Sequence, residues 1–474
     1  MQDTQLKLPA SSMHDPRAHA APALDRLDAA SVEVEVARAA ALTRYLYSSL
    51  VSDDALWLQP DALRQPLIFY LGHPATFWVN KLMLASVDAQ GLDAQGLDPE
   101  LEDLFARGVD PSTASKLDRR DDWPTPSRVR GYVEEARGRA LRAVHALDWS
   151  RTDSDAPTWA VLMAIEHERV HFETSSMLFR QLPLASLRRP EGWRYERTDL
   201  PAPAEAWVEI SAGQTHLGRG PELPVFGWDA DFGAGVDHVP AFTVSRDLVT
   251  NAAYAEFVEA GGYEEPRFWT EEGWAWRVAE GATMPRFWRR GELAGFPHGK
   301  GGAFRYRAIF DELALPLAWP AEVNAHEADA YCRFRGARLP TEAEWSRLVD
   351  VVDPARADRV GLTHHLNLRG GSPAPVGAAD VGTGRAVHDV RGNVWQWLAD
   401  ELRPLPGFRP HRLYEDFSAP YFDADHVMMR GGSWATTGAG ATPYYRCWFR
   451  RHFHQHAGFR LAQRSDSQRK GTGT

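Results

Sequence analysis

Two histidines one helical turn apart are the residues of this chain best suited to metal chemistry. His167 and His171 lie in AIEHERVHFETSS, residues 164–176, within the pattern H-E-x-x-H. On a helix that turns by about 100° per residue they lie about 40° apart, on the side that carries the apolar residues. The charged residues cluster on the opposite side: Glu166, Arg169, Glu173 and Arg180. Because each unsatisfied buried polar group costs about 1–3 kcal/mol, a shared metal ion would stabilise both imidazoles.

A third imidazole is available on another segment. His73 lies in FYLGHPATFWVNK, among aromatic residues and with few charges nearby. Facing helices of a bundle can bring such a residue to a metal held by a neighbouring helix. Three neutral imidazoles with open positions suit iron(II), zinc or copper. The competing interpretation is packed histidines hydrogen-bonded within the core, but the three together favour a metal site.

The same pattern is also the signature of zinc metallohydrolases, in which Glu168 would be the general base. One version of that site needs the longer pattern H-E-x-x-H-x-x-G-x-x-H. Thr174 and Met177 stand where its glycine and third histidine would be, so this version is excluded. The version with a distant glutamate ligand stays open at this point.

The elements that must position these residues fall into two groups. Residues 31–195 predict a four-helix bundle, because four segments show helical spacing of apolar residues. Residues 205–465 predict an α+β domain of short strands and glycine turns, interrupted by helices near 251–262 and 325–336. Residues 1–30 and 466–474 are predicted to be disordered tails.

Composition limits the class of protein. The chain has 474 residues with a net charge of −11, which does not favour nucleic acid or anionic membrane partners. We find no apolar run long enough to span a bilayer and no signal peptide. The only cysteines, Cys332 and Cys447, indicate no disulfide framework and are consistent with a reducing cytoplasm. A soluble cytoplasmic protein is therefore expected.

An ordered set of motifs resembles a known family. It comprises LIFYLGHPATFWVNKLMLA, LMAIEHERVHFETSSMLFRQLP, LAWPAEVNAHEADAYCRFRGARLPTEAEW, GNVWQW, RGGSW and RRHFHQHAGFR. Over about residues 35–465 the chain is similar to the nonheme-iron sulfoxide synthases of thiol-histidine biosynthesis. The resemblance is closest to the synthase part of the ovothiol-pathway enzyme, 5-histidylcysteine sulfoxide synthase. The ergothioneine-pathway synthase and selenoneine synthase are related to it.

The resemblance implies an N-terminal DinB-like four-helix bundle. It also implies a C-terminal domain of the formylglycine-generating-enzyme type, a variant of the C-type lectin fold. By position, His73, His167 and His171 match the family's iron(II) ligands, and Tyr414 in HRLYEDF matches its catalytic tyrosine. A lectin-like binding module without chemistry is a further class, and it predicts ligand binding without O2 uptake.

The implied reaction uses O2 as co-substrate to join cysteine to the imidazole of histidine, giving 5-histidylcysteine sulfoxide. The alternative is a hercynine-using sulfoxide or selenoxide synthase of ergothioneine or selenoneine biosynthesis. The loop GVDPSTASKLD, residues 108–118, lacks the acidic, tryptophan-containing sequence of ovothiol synthases, so the imidazole donor stays open. The chain ends without the methyltransferase domain of many ovothiol enzymes, so any methylation is expected from a separate protein.

Substrate contacts are predicted in YYRCWFRRHFHQHAGFR. Arg450 or Arg451 would bind a substrate carboxylate, and Trp448 would line the pocket. Three alternating histidines, at 452, 454 and 456, have strand spacing and predict a polar strand face or interface rather than a second metal site.

Two single residues carry further expectations. Pro74 is expected to hold His73 away from α-helical geometry and to kink the chain there. Cys447 stands alone where copper-dependent relatives carry a cysteine pair, so no such copper site is expected.

Overall fold

The computed structural model describes residues 13–465 except 88, 90, 107–116, 118–121, 292–303 and 354–358. The predicted tail at 466–474 and the loop at 108–118, apart from Leu117, lie outside the described residues. Within the described ranges no helix is both long and apolar enough to cross a membrane.

Four long helices form the N-terminal bundle, where the sequence predicts them. The helices of this part are α1 (Ala29–Tyr47), α2 (Leu67–Ala85), the short α3 (Pro99–Phe105), α4 (Pro126–Ala146) and α5 (Thr158–Gln181). Local signals set their starts: Asp28 caps α1, and Thr125 caps α4 just before Pro126. Because α2 packs against both α4 and α5, its side chains lie at the centre of the bundle.

The expectation that Pro74 holds His73 away from α-helical geometry is wrong. The α2 helix continues through Pro74 without a break. A proline removes one backbone N–H and so frees the carbonyl four residues earlier. Nearly every side chain of α2 is buried, so packing around the helix outweighs that local cost.

The prediction of a disordered N-terminal tail is also wrong from residue 13 onward. Met13 and His19 are buried, and residues 16–18 and 24–26 form 3-10 turns. The carbonyl of His19 accepts a hydrogen bond from the Gly438 N–H at 2.9 Å, and the Leu24 N–H donates to the carbonyl of Pro224 at 2.9 Å. Residues 13–28 thus pack along the second domain, a docking that their polar composition does not reveal.

The described residues of the C-terminal domain form four small sheets. Its strands are β1 (Trp207–Ile210), β2 (Gly213–Leu217), β3 (Gly235–Val239), β4 (Phe242–Ser245), β5 (Trp288–Arg290), β6 (Phe304–Arg307), β7 (Glu312–Ala314), β8 (Trp395–Glu401), β9 (His426–Arg430), β10 (Cys447–Arg450), β11 (Ala457–Gly458) and β12 (Ala462–Arg464). They pair in the orders β1-β4-β12, β2-β3, β5-β6-β7 and β10-β9-β8-β11. All neighbours are antiparallel except β11 and β8, which run parallel.

Four helices accompany these sheets within the described residues, two of them as predicted. They are α6 (Asn251–Glu259), α7 (Glu271–Glu280), α8 (Ala325–Phe334) and α9 (Glu342–Val352). The α9 helix packs on the strands, and α6 and α7 pack against α8. The sequence analysis missed α7 and α9, although Thr341 and Glu344 form a capping box that marks the start of α9. A helical bundle joined to this mixed domain confirms the predicted two-domain α+β fold class.

Candidate metal centre

The structure brings together the three histidines singled out in the sequence. His73 comes from α2, and His167 and His171 come from successive turns of α5. One ligand nitrogen of each ring lies within 4.8 Å of the others. The ring centroids are 4.3 Å apart for the α5 pair and 5.0 and 4.4 Å apart for the two pairs that include His73. Within the part of the chain that the structure describes, no other group of histidine, cysteine or acidic side chains converges in this way.

The chemistry of the three rings fits a metal ion. Burial lowers the pKa of His73 to about 4 and holds the pKa values of His167 and His171 well below their usual range, so all three imidazoles are neutral at pH 7. The Nδ1 atoms of His167 and His171 are buried and make no hydrogen bond to the described residues. Buried polar atoms without partners are uncommon in native proteins, and here they accompany converging imidazoles. Three neutral nitrogens with open positions suit iron(II), zinc or copper.

Two residues that the sequence analysis missed orient His73. Its Nδ1 lies 2.6 Å from the carbonyl oxygen of Phe105, the last residue of α3. That contact assigns the proton to Nδ1 and leaves the lone pair on Nε2 for a metal. Gly72 permits it, because a Cβ atom at that position would come within 2.5 Å of the Phe105 ring. The glycine before the histidine was the available sequence signal.

Tyr414 lies beside the three histidines. Its ring is 6.3 Å from that of His167 and 5.1 Å from that of Phe77, which itself stacks on His167 at 3.6 Å. Burial raises the pKa of Tyr414 above its usual value, so the phenol keeps its proton. A neutral phenol at this position can donate a proton to a group bound at the metal centre.

The side chain of Glu168 is engaged elsewhere. Its carboxylate accepts hydrogen bonds from Thr43 of α1 and from the indole of Trp78, both at 3.2 Å. The guanidinium of Arg137 is 3.9 Å away. These contacts draw the carboxylate toward α1 and α4, which does not suit a general base that acts on a metal-bound water.

An aromatic cavity of about 200 Å³ adjoins the centre. Val170 and Thr174, which flank His171 on α5, form part of its wall, as does Tyr414. Its aromatic lining consists of Trp395, Tyr414, Phe417, Tyr421, Tyr445, Trp448 and Phe449. Its charged lining consists of Arg64, Arg169 and Glu173. A small zwitterion with an apolar or quaternary ammonium part would find complementary walls here.

The predicted substrate residues separate into two groups. Trp448 lines the cavity, whereas Arg450 and Arg451 do not. Arg450 forms an ion pair with Asp425 at 2.7 Å, and Arg451 lies 3.4 Å from Glu401. Carboxylates of the protein itself thus hold both guanidinium groups. The cavity instead contains Arg64, which the sequence analysis did not consider.

The three alternating histidines do not share a strand face. Because β10 ends at Arg450, they follow it on irregular backbone. His456 is buried, with Nε2 2.8 Å from the Ser176 hydroxyl of α5. His454 packs against the rings of Trp276 and Phe287, at 6.3 and 6.0 Å. The expected strand face is wrong, but the interface role does apply to His456.

Glu173 is a cavity residue that the sequence analysis placed only among the charged residues of α5. Its carboxylate accepts hydrogen bonds from Trp395 at 2.8 Å, Ser433 at 2.5 Å and Thr436 at 2.9 Å. All three donors belong to the C-terminal domain. The contacts fix α5, and with it two of the three histidines, against that domain.

Comparison with known proteins gives a consistent result. Residues 196–348 and 370–465 match the Sulfatase-modifying factor enzyme 1-like domain, and residues 35–175 match the DinB superfamily. The chain is 33% identical to the hercynine oxygenase of Mycobacterium tuberculosis over 434 residues, which is 86% of this chain and 94% of that protein. It is 32% identical to the hercynine oxygenase of Mycolicibacterium smegmatis, over 84% of this chain and 90% of that protein.

More distant similarities extend the comparison. Ergothioneine biosynthesis protein 1 of Schizosaccharomyces pombe is 24% identical over 83% of this chain and 50% of its own length. The solved structure of PvdO from Pseudomonas aeruginosa covers 59% of this chain and all of its own, with 18% identity and a TM-score of 0.36. A structural similarity at that level carries no conclusion about function.

Proposed function

The chain belongs to the family of the hercynine oxygenases, and from that premise we propose an iron(II)- and O2-dependent sulfoxide synthase. Its substrates would be a thiol, cysteine in the first instance, and hercynine, the N-trimethylated form of histidine. The observation that carries the proposal is the convergence of His73, His167 and His171 beside Tyr414, which lines an aromatic cavity. Iron(II) bound there would activate O2 and bring thiolate and imidazole together.

The overall reaction balances without another reductant. The imidazole C–H and the thiol S–H are lost, and a C–S bond forms with the release of two electrons. Oxidation of the sulfur to a sulfoxide releases two more. Together they reduce O2, one oxygen atom of which enters the sulfoxide while the other leaves as water. No 2-oxoglutarate is required.

Within this reaction Tyr414 supplies a proton. The phenol stays protonated at neutral pH because burial raises its pKa. Its ring contacts Phe77, which stacks on His167, so the tyrosine is held beside the proposed centre. Loss of this proton donor would favour oxidation of the thiol alone to a sulfinate.

The imidazole donor is assigned to hercynine rather than to the histidine favoured by the ovothiol resemblance. Two relatives that share nearly their whole length with this chain are named for hercynine. The cavity supports the same choice, since aromatic faces attract a quaternary ammonium group by cation–π interaction. Glu173, on the cavity wall, adds a negative charge. Histidine lacks the trimethylammonium group that these walls suit.

The test is O2 uptake by iron(II)-loaded protein, with mass spectrometry of the products. Cysteine is supplied with hercynine and, separately, with histidine. An adduct of hercynine and cysteine that has gained one oxygen atom supports the proposal. Adduct formation with histidine alone would return the enzyme to the ovothiol-type reaction. If only a selenium donor reacts with hercynine, the enzyme is a selenoxide synthase.

Two controls make the test decisive. Tyr414→Phe should consume O2 but shift the product from sulfoxide adduct toward cysteine sulfinate, because the proton donor is lost. If protein shown to contain iron forms no adduct with any pair of substrates, the synthase proposal is wrong. A zinc hydrolase or a binding module would then be the better hypothesis.

A further inference from the structure

Lys81 is a buried cation beside Tyr414. It follows His73 by two turns of α2, and its side chain points back along the helix toward the metal centre. Only 9% of its surface is exposed. Its Nζ lies 4.2 Å from the centroid of the Tyr414 ring and 4.7 Å from that of Phe77. Burial lowers its pKa to about 8, although the nearby Asp416 carboxylate opposes the change.

The ammonium group lacks hydrogen-bond acceptors. Among the described residues, Lys81 forms no ion pair within 4.0 Å, and no hydrogen bond of its Nζ is found. The two rings attract its charge but provide no acceptor for its three N–H groups. A buried charge without a partner is unfavourable, so the arrangement suits an anion that arrives with a ligand. The Nζ atom is not among the fully enclosed unpaired polar atoms, so it keeps a small accessible area.

The location of Lys81 indicates which ligand. The Phe77 ring lies between Lys81 and His167, and Tyr414 contacts Lys81 and lines the aromatic cavity, which Lys81 itself does not line. An imidazole bound at the metal centre would carry its amino-acid carboxylate several bonds away from the metal. We propose that Lys81 binds the α-carboxylate of the imidazole substrate, an inference that rests on the proposed function.

This assignment also orients the substrate. The positive Nζ of Lys81 would attract the carboxylate and repel the trimethylammonium group. The aromatic wall with Glu173 would attract the trimethylammonium group instead. Because both groups are carried by the same α-carbon, opposite charges near them would favour one orientation of that carbon and of the imidazole attached to it. Lys81 would determine specificity for amino acids over imidazole amines.

The test compares two ligands that differ only in the carboxylate. Binding of hercynine and of its decarboxylated analogue, N,N,N-trimethylhistamine, is measured by calorimetry on iron(II)-loaded protein without O2. Lys81→Met should weaken hercynine binding about 10- to 100-fold, as expected for one hydrogen bond to a charged group. It should leave trimethylhistamine binding unchanged. Lys81→Arg keeps the cation and should restore much of the preference for hercynine.

Arg267→Met is the matched control. Arg267 also lies over a ring, that of Phe268 at 4.8 Å, but its side chain is 74% exposed. Its replacement should change neither affinity. Equal weakening of both ligands by Lys81→Met would overturn the inference and indicate a packing role. Unchanged binding of both ligands, with a shift toward sulfinate, would overturn it in favour of a role through Tyr414.

Failure of the proposed function would look different. Wild-type protein that contains iron but binds neither hercynine nor histidine would contradict the synthase proposal itself. Wild-type protein that binds hercynine and forms the adduct, with Lys81→Met indistinguishable from it, would contradict only the assignment of Lys81.

Discussion

On one side of α5, His167 and His171 lie among apolar side chains and face His73. On the other side, four charged residues lie between the two domains: Glu166, Arg169, Glu173 and Arg180. Both sides are largely buried, but they differ in how their polar atoms are satisfied. Each imidazole leaves a buried Nδ1 without a partner. Each charged side chain has at least one polar partner, as when Glu166 accepts hydrogen bonds from Arg169 at 2.5 Å and from the Ala439 N–H at 2.7 Å, although the buried Nη2 of Arg180 has no hydrogen bond.

The difference separates a structural surface from a ligand site. Arg180 illustrates the structural surface. It donates hydrogen bonds to Glu322 at 2.8 Å and to the carbonyl of Arg307 at 2.7 Å, and its guanidinium stacks on Phe287. Such a network holds the domains together because every charge has a partner. The unpaired Nδ1 atoms of His167 and His171 are unfavourable for folding, which is consistent with a metal site. A variant on each side should therefore change a different property.

The largest effect is expected on the histidine side. His167→Leu removes one of the three proposed ligands and should abolish iron binding and turnover. Removal of a residue that only hydrogen-bonds to a ligand lowers metal affinity or activity by up to about 100-fold, and the loss here should be greater. When no metal is present, the free energy of unfolding of the variant should stay within about 1–3 kcal/mol of wild type. The reason is that the substitution removes a buried imidazole whose Nδ1 has no hydrogen bond. Iron content and chemical denaturation measure the two properties. A large loss of stability would mean that His167 is structural.

The charged side should respond in the opposite way. Arg180→Met leaves Glu322 buried without its ion pair and should lower the free energy of unfolding by about 3–5 kcal/mol. Iron binding by the protein that remains folded should persist. The control is Arg189→Met, which removes an exposed pair with Asp311 at 3.4 Å and should cost at most about 1 kcal/mol. Equal effects of the two variants would contradict the comparison.

The dependence of stability on pH tests the charged side of α5 separately from the histidine side. Burial, the largest influence on Glu322, would raise its pKa, but Arg180 and then His456 outweigh it and lower the pKa from 4.5 to about 2. A lowered carboxyl pKa stabilises the folded state above the unfolded pKa, and this stability is lost as pH falls toward about 2. The loss should be about 3 kcal/mol between pH 4.5 and 2.

The double variant Arg180→Met/Glu322→Gln is the control for that series. It removes both charges, so its unfolding free energy should change less steeply over the same pH window. Denaturant unfolding at several pH values measures the slope. Identical slopes in wild type and double variant would show that other carboxyl groups determine the acid sensitivity.

The smallest effect is expected at Glu168, between the two sides. Glu168→Gln keeps an oxygen that can accept from Trp78 or Thr43, and the carboxylate has no role in the proposed chemistry. Loss of a general base lowers turnover by about 100-fold or more, and the decrease in this variant should be much smaller. Steady-state rates of adduct formation measure it. A loss of 100-fold or more would revive the hydrolase hypothesis.

Local sequence patterns predicted much of the structure of this protein. The helical period of residues 158–182 placed both α5 histidines on one side, and capping residues marked the starts of α1 and α4. These signals are readable because they depend on residues a few positions apart. The sequence resemblance predicted the two-domain fold, and His73 among the ligands. It favoured histidine over hercynine as the imidazole donor, and the similarity to two hercynine oxygenases does not support that choice.

What the sequence determined is therefore periodic and local: the helices, the histidine pair and the class of fold. Only the tertiary structure decided the rest. It brought His73 to α5, paired Arg450 and Arg451 with protein carboxylates, buried the charged side of α5 between domains, and placed Lys81 over Tyr414. The physical reason is that satisfaction of a polar group depends on partners far apart in sequence. Arg180 and Glu322, for example, are 142 residues apart.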